Sequence, residues 1–253
     1  MSTDMLVRSS VAPMHAEARV SSVQISQRLA GHAVAVLETQ RDWLRVRGED
    51  AYEGWMHRGY LHANGTSIPH GGARLLSLGC MARDTSTAGV RALPLGAWLE
   101  PTERVETGNA INEVARRAAF PRDASGIATT AVQLFAGAPY QWGGVSPWGA
   151  DCSGLTQTAF WLHGVSVPRD AWQQAEVGQD AGSEMSTWTA GDLLFFSDRA
   201  DRRITHVGIA LGEKRMVHLA LGRGGYSVER LDATDDPYVA GLMRRFVVAR
   251  RVV

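Results

Sequence analysis

Short runs of alternating apolar and polar residues fill the first part of the chain. Ala33–Leu37, Asp42–Val46 and Gly54–Met56 are strand-like. Leu44 and Val46 alternate with Arg45 and Arg47, the two-residue period of a half-buried strand. Turns separate these runs, so residues 16–65 are expected to form a small all-β barrel. The stretch Asn64–Gly72 is rich in Gly and turn formers and marks a boundary. Residues 70–110 repeat the theme more weakly, with strand-like runs at 73–78, 89–93 and 96–99, and a second, shorter barrel is expected. Ile111, Val114, Ala115 and Ala118 have helical spacing and predict a connector over 111–125.

From residue 126 the pattern changes. Thr129–Phe135 reads as helix. Leu155, Ala159 and Leu162 recur at i, i+4 and i+7, an amphipathic helix that Gly164 can terminate. Strand-like runs follow at 192–196, 206–211, 216–219 and 225–229. Helices followed by consecutive strands predict an α+β domain with an antiparallel sheet over 126–253.

Composition removes several classes of function. With 45% hydrophobic residues the chain can bury a core, and 26 Lys+Arg balance 26 Asp+Glu, so nothing favours nucleic acid or an acidic membrane surface. No apolar run of membrane-spanning length occurs, and the first residues lack a signal-peptide core; the expected location is cytoplasmic. There is no CxxC, no HExxH and no Cys/His cluster at zinc spacing, so neither metal nor cofactor is expected. Cys80 is expected to be a small core residue, and the same core role is expected of Trp43, Trp55 and Trp98.

The chemistry concentrates at Asp151-Cys-Ser-Gly154. A cysteine attacks an amide as thiolate, and a helix starting near Cys152 would offer unpaired N–H groups and a dipole to stabilise one. An imidazole is needed as well. His206 opens an alternating strand with Gly208 and Ala210 on its own face, where small side chains would leave room for substrate or helix. His218 lies one hairpin later. If Leu211 pairs with Met216, the two imidazoles fall on opposite faces; if the loop is odd or a bulge intervenes, Gly208 faces His218 and His206 sits diagonally from it. Only the second arrangement joins them, so a Cys152–His206–His218 constellation predicts an irregularity around Gly212–Arg215.

These residues carry a resemblance. Tyr140–Gly144, Ser146–Gly149, Asp151–Leu155, Pro168–Asp170, Gln173–Gln174, Gly191–Phe196, His206–Ile209 and His218 resemble the NlpC/P60 family of cell-wall cysteine peptidases over residues 126–253. The resemblance implies a papain-like catalytic domain, with Cys152 as nucleophile, His206 as general base and then acid, and His218 as orienting group. Val36–Val46 and Tyr52–Trp55 resemble bacterial SH3-type barrels, two of which would precede the catalytic domain. This combination looks like the cytoplasmic γ-D-glutamyl-L-diamino acid endopeptidases, which recycle muropeptides bearing a free N-terminal L-Ala. By the same resemblance Asp151 would pair with the substrate ammonium, Tyr140 and Ser153 would line the scissile bond, and the first barrel would close the pocket behind L-Ala, with Tyr52 or Tyr60 and an acid such as Glu38 as candidates. The implied partner is the small peptide L-Ala-γ-D-Glu-diamino acid. One departure is Ala171, where the family often has a hydroxyl residue. Competing readings are an exported hydrolase of intact wall peptides, a non-catalytic binding module and an acyl transferase on the same thiol.

Overall fold

A computed structural model describes residues 4–63 and 74–253. The chain divides into two compact units, Met1–Ala119 and Phe120–Val253.

Among the described residues the first unit contains ten strands: β1 (Asp4–Val7), β2 (Val11–His15), β3 (Gln24–Leu29), β4 (Ala33–Gln40), β5 (Trp43–Gly48), β6 (Glu53–His57), β7 (Leu61–Ala63), β8 (Leu76–Asp84), β9 (Val90–Leu93) and β10 (Glu103–Ile111). β1–β7 form one antiparallel sheet in the order β3-β2-β6-β5-β4-β1-β7. This sheet begins before residue 16, because β1 pairs with β4 and β7, and β2 pairs with β3 and β6. Its core is Val7, Ala12, Met14, Val34, Leu44, Val46, Met56 and Leu61. Leu44 and Val46 are buried while Arg45 and Arg47 are exposed, as the alternation requires.

The tryptophans do not form that core. Trp43 and Trp55 are half-buried, and Trp43 lies edge-on between His15 and His57. Trp98 is also half-buried, under the Arg74 guanidinium. Indole is too large for a small barrel filled by Val, Leu and Met, so it flanks the core.

β8–β10 make a separate three-stranded antiparallel sheet, order β10-β8-β9. Cys80 is buried there, opposite Leu93, with a free thiol. The run at 96–99 is a turn with one isolated bridge, Leu76 to Trp98, rather than a strand. The turn-rich stretch Asn64–Gly72 lies outside the described residues. Helix α1 (Glu113–Ala119) occupies the expected connector, with Arg116 and Arg117 on Glu113 at 2.8 Å each.

The second unit starts earlier than residue 126. Helix α2 (Ala124–Leu134) is capped by Asp123, whose carboxylate accepts from Gly126 N at 2.6 Å. His163 anchors this start, its ring bridging Thr130 Oγ1 at 2.8 Å and the Pro121 carbonyl at 2.5 Å. A two-strand ribbon, β11 (Val145–Ser146) and β12 (Gly149–Ala150), leads into α3 (Cys152–Leu162) and the short α4 (Ala171–Gln174). Then come β13 (Gln179–Asp180), β14 (Leu193–Phe196), β15 (His206–Gly212), β16 (Arg215–Ala220), β17 (Gly225–Arg230), α5 (Pro237–Arg244) and β18 (Phe246–Arg251). The antiparallel sheet has the order β13-β18-β14-β15-β16-β17. α2 and α3 pack on β15 and β16. Leu242 of α5 joins Leu194, Phe196, Ala210 and Met216 in a buried cluster. The periodicity did not reveal α5, but its start carries a signature: Asp236 caps it, accepting from Tyr238 N at 2.8 Å, and Pro237 is its first residue.

Candidate active site

The β15–β16 hairpin sets the histidines. Ile209 pairs with Val217 and Ala210 with Met216, but Gly212 pairs with Arg215, so Leu211 is an extra, bulged residue. Glu213 and Lys214 make the two-residue turn, with φ of 50° and 57°. Continuing the register back from Ile209 sets Gly208 opposite His218, with His206 diagonal to it. His206 Nε2 and His218 Nδ1 are 2.8 Å apart, their rings edge-on. The expected irregularity is present and the imidazoles meet.

The space over Gly208 is not open to substrate, however. A Cβ there would collide with the Met216 side chain, so the small residue accommodates core packing.

Cys152 is the first residue of α3 and is 7% exposed. Asp151 caps this helix, Oδ1 accepting from Gly154 N at 2.7 Å. The glycines of the motif are needed for close approach, because a Cβ on Gly154 would strike the Gly144 carbonyl. Helix α3 packs on β15, the strand that His206 begins.

Asp151 and Ser153 are both engaged within the chain. Asp151 is 6% exposed and takes five donors from its own chain. Oδ1 accepts from Ser153 Oγ at 3.2 Å, Gly154 N and Arg169 Nη1 at 3.0 Å, and Oδ2 accepts from Gly143 N and Arg169 Nη2, both at 2.8 Å. The Ser153 hydroxyl also accepts from Arg169 Nη1 at 2.8 Å. The carboxylate joins Arg169, itself 2% exposed, to the start of the helix that bears Cys152. Pro-Arg-Asp was legible as a motif, but the service of Arg169 to Asp151 depends on a fold that joins residues 18 apart.

Tyr140 is half-buried and pairs by a backbone bridge with Ala150. Burial, and then the nearby Cys152 and Asp151, push its hydroxyl above the ordinary phenol range, so it remains an O–H donor. Ala171 opens α4, where its capping residue Asp170 makes no side-chain cap. In the first unit, Tyr52 and Tyr60 pack partly buried against the barrel core. Glu38 is exposed on β4, 3.9 Å from Arg45.

Sequence reasoning missed one residue. Glu229, on β17, is 4% exposed and accepts from His218 Nε2 at 3.4 Å. The only sequence sign was its place two residues after Ser227, on one face of a strand.

A model of the NlpC/P60 family matches residues 137–243, and a model of the bacterial SH3 domain matches residues 10–62. The gamma-D-glutamyl-L-lysine dipeptidyl-peptidase of Bacillus subtilis is 31% identical over 232 residues, covering 84% of this chain and 77% of that protein. The chain belongs to the NlpC/P60 family. It is a cysteine peptidase of that family, with a bacterial SH3 domain ahead of the catalytic unit. A protein of the same description from Bacillus cereus is 29% identical over 85% of this chain and 72% of its own length. The crystal structure of an NlpC/P60 family protein from Bacillus cereus shares the fold, with a TM-score of 0.81 at 20% identity over 99% of both chains.

The electrostatics of this site carry a testable consequence. Burial, and then the Asp151 charge, push the Cys152 thiol up to about 12, while the Val207 N–H, Arg169 and the Ser153 N–H oppose this less strongly. Burial, and then His218, push His206 down to about 3. Both shifts favour the neutral thiol and the neutral imidazole in the resting site. Alkylation of Cys152 by iodoacetamide is therefore expected to be slower than that of a free cysteine at pH 7 and to rise through pH 9. A rate already flat from pH 5 upward would mean a resting thiolate–imidazolium pair instead.

Proposed function

We propose that this peptidase cleaves the bond from γ-D-Glu to an L-diamino acid, diaminopimelate or Lys, in short peptides with a free N-terminal L-Ala. The observation that carries the chemistry is the 2.8 Å contact between His206 and His218, with Cys152 at the start of a helix that packs on the strand of His206. The bond assignment is supported by likeness to two proteins described as gamma-D-glutamyl-L-lysine dipeptidyl-peptidases over most of their length. On this reading the enzyme serves muropeptide recycling in the cytoplasm. Glu38, Tyr52 and Tyr60 of the first unit are the candidates for reading the free N-terminus. The β8–β10 sheet is a reduced second SH3-like module, and the catalytic unit is papain-like.

In the proposed mechanism His206 takes the Cys152 proton as the sulfur attacks the γ-glutamyl carbonyl. The oxyanion is held by the Cys152 N–H at the helix start and by the Tyr140 hydroxyl. His206 then gives its proton to the leaving amine, and the acyl-enzyme forms. Water, deprotonated by His206, releases the acyl group and regenerates the thiol. His218 orients His206 throughout.

The test is a paired hydrolysis followed by mass spectrometry. L-Ala-γ-D-Glu-meso-diaminopimelate is presented with a free amine and with that amine acylated. Cleavage of the free peptide alone, releasing L-Ala-D-Glu, is expected. Equal cleavage of both would make the protein a hydrolase of longer wall peptides.

A further inference from the structure

His218 is fully buried, and three elements present groups to it. β15 offers His206, β17 offers Glu229, and α5 sets the Tyr238 ring 6.2 Å away. Behind Glu229 stands Arg223, which donates Nε to Oε1 at 2.8 Å and Nη2 to Oε2 at 2.9 Å. Ser227 Oγ donates to the same Oε1 at 2.7 Å. Arg223 also reaches Asp236 at 2.7 Å and lies over the Tyr238 ring at 4.2 Å. Arg223, Glu229 and Asp236 together carry one net negative charge.

From this arrangement, and resting on the function proposed above, we infer that Glu229 is a positioning residue that fixes the tautomers of both imidazoles. The reasoning follows the hydrogens. Glu229 receives donors on both oxygens, so it acts as an acceptor and His218 must carry its proton on Nε2. A neutral His218 then has a bare Nδ1. The 2.8 Å contact requires His206 to donate Nε2–H to that nitrogen. His206 Nδ1 is thereby left unprotonated, as the nitrogen available to the thiol of Cys152. Without the carboxylate, His218 is free to carry its proton on Nδ1; two N–H groups would then face each other, or His206 would turn its bare nitrogen away from the sulfur. When His206 takes the thiol proton, the buried negative charge two rings away also stabilises the cation.

The ionisation state of Glu229 agrees. Burial alone would raise its carboxyl, but hydrogen bonds from His218, Arg223 and Ser227 outweigh this and hold it well below the ordinary carboxylate range. Isolated Arg–Glu pairs on a surface contribute little. This one is different because its carboxylate is buried against the second histidine.

The test uses the full chain with Glu229→Leu and Glu229→Gln. Gln keeps the shape and one acceptor oxygen but lacks the charge. The first readout needs no substrate: two-bond proton–nitrogen correlation spectra of histidine-labelled protein. In the unsubstituted protein His206 and His218 are expected as Nε2–H tautomers with bare Nδ1. In Glu229→Leu the His218 tautomer is expected to become mixed, with Gln restoring it in part. The second readout is hydrolysis of the free tripeptide, where Leu is expected to lower kcat about 10- to 100-fold with KM within about twofold, and Gln to recover part of the loss. Unchanged tautomers in a folded Leu variant would overturn the inference, as would a loss of thermal stability with kcat intact. If the unsubstituted protein leaves the tripeptide uncut, the substrate proposal fails, and the spectra alone decide the role of Glu229.

Discussion

Cys152→Ala is expected to lower turnover of the susceptible peptide by about 10,000-fold or more while leaving the fold in place. In catalytic sets that act as a unit, loss of the nucleophile costs about as much as loss of the whole set, because no other group can form the acyl-enzyme. Cys152 is the candidate here because it stands at the start of α3, which packs on β15, the strand that His206 begins. The second thiol, Cys80, is buried in the other unit, so it offers no substitute. The structural cost is small: one buried sulfur is removed, and the helix keeps its Asp151 cap. Circular dichroism and a thermal midpoint within a few degrees would verify the fold, and single-turnover mass spectrometry would look for the acyl-enzyme. Turnover within tenfold of the parent would remove Cys152 from the mechanism.

Asp151→Ala should have the largest effect on stability, a loss of about 3–5 kcal/mol. The substitution takes from the Arg169 guanidinium, 2% exposed, the carboxylate that accepts from both its Nη1 and its Nη2. It also orphans the Gly143 N–H and removes the helix cap, worth about 1 kcal/mol by itself. A domain whose total stability is about 5–15 kcal/mol does not absorb such a loss silently. Arg169→Met should cost less, because Asp151 keeps the donors from Gly143, Gly154 and Ser153. The double substitution should be more stable than Asp151→Ala alone, since the buried cation is removed together with its carboxylate. Urea unfolding of the three variants measures this cycle. A loss below about 1 kcal/mol for Asp151→Ala would show that the pair is not buried as described. Activity should fall with stability, because the pair holds the helix start that presents Cys152.

The catalytic half of the fold was unusually legible, and the reason is local. The helix beginning at Cys152 follows from a capping Asp, an apolar i, i+4, i+7 stripe and a glycine end, all within a dozen residues. The pleat is equally local: a strand alternates strictly, so the demand that His206 and His218 meet across one hairpin required a bulge, which Leu211 provides. The first barrel was legible through the alternation around Leu44 and Val46, but its first two strands were not, because four or five residues carry too little periodicity to declare themselves. The tryptophans misled for a related reason. Hydrophobicity says that an indole seeks cover, but not whether a small barrel has space for it at the centre.

What the sequence determined by itself was the candidate set and the backbone that presents it: a thiol at a helix start and two imidazoles on adjacent strands. Each rests on short-range geometry, where one residue constrains neighbours a few positions away. The tertiary structure alone decided how polar groups distant in sequence are satisfied. It gave Asp151 to Arg169, filled the space over Gly208 with Met216, and brought Glu229 under His218. A buried charge or donor takes whatever partner the completed fold brings within hydrogen-bond distance, and no local pattern records that choice.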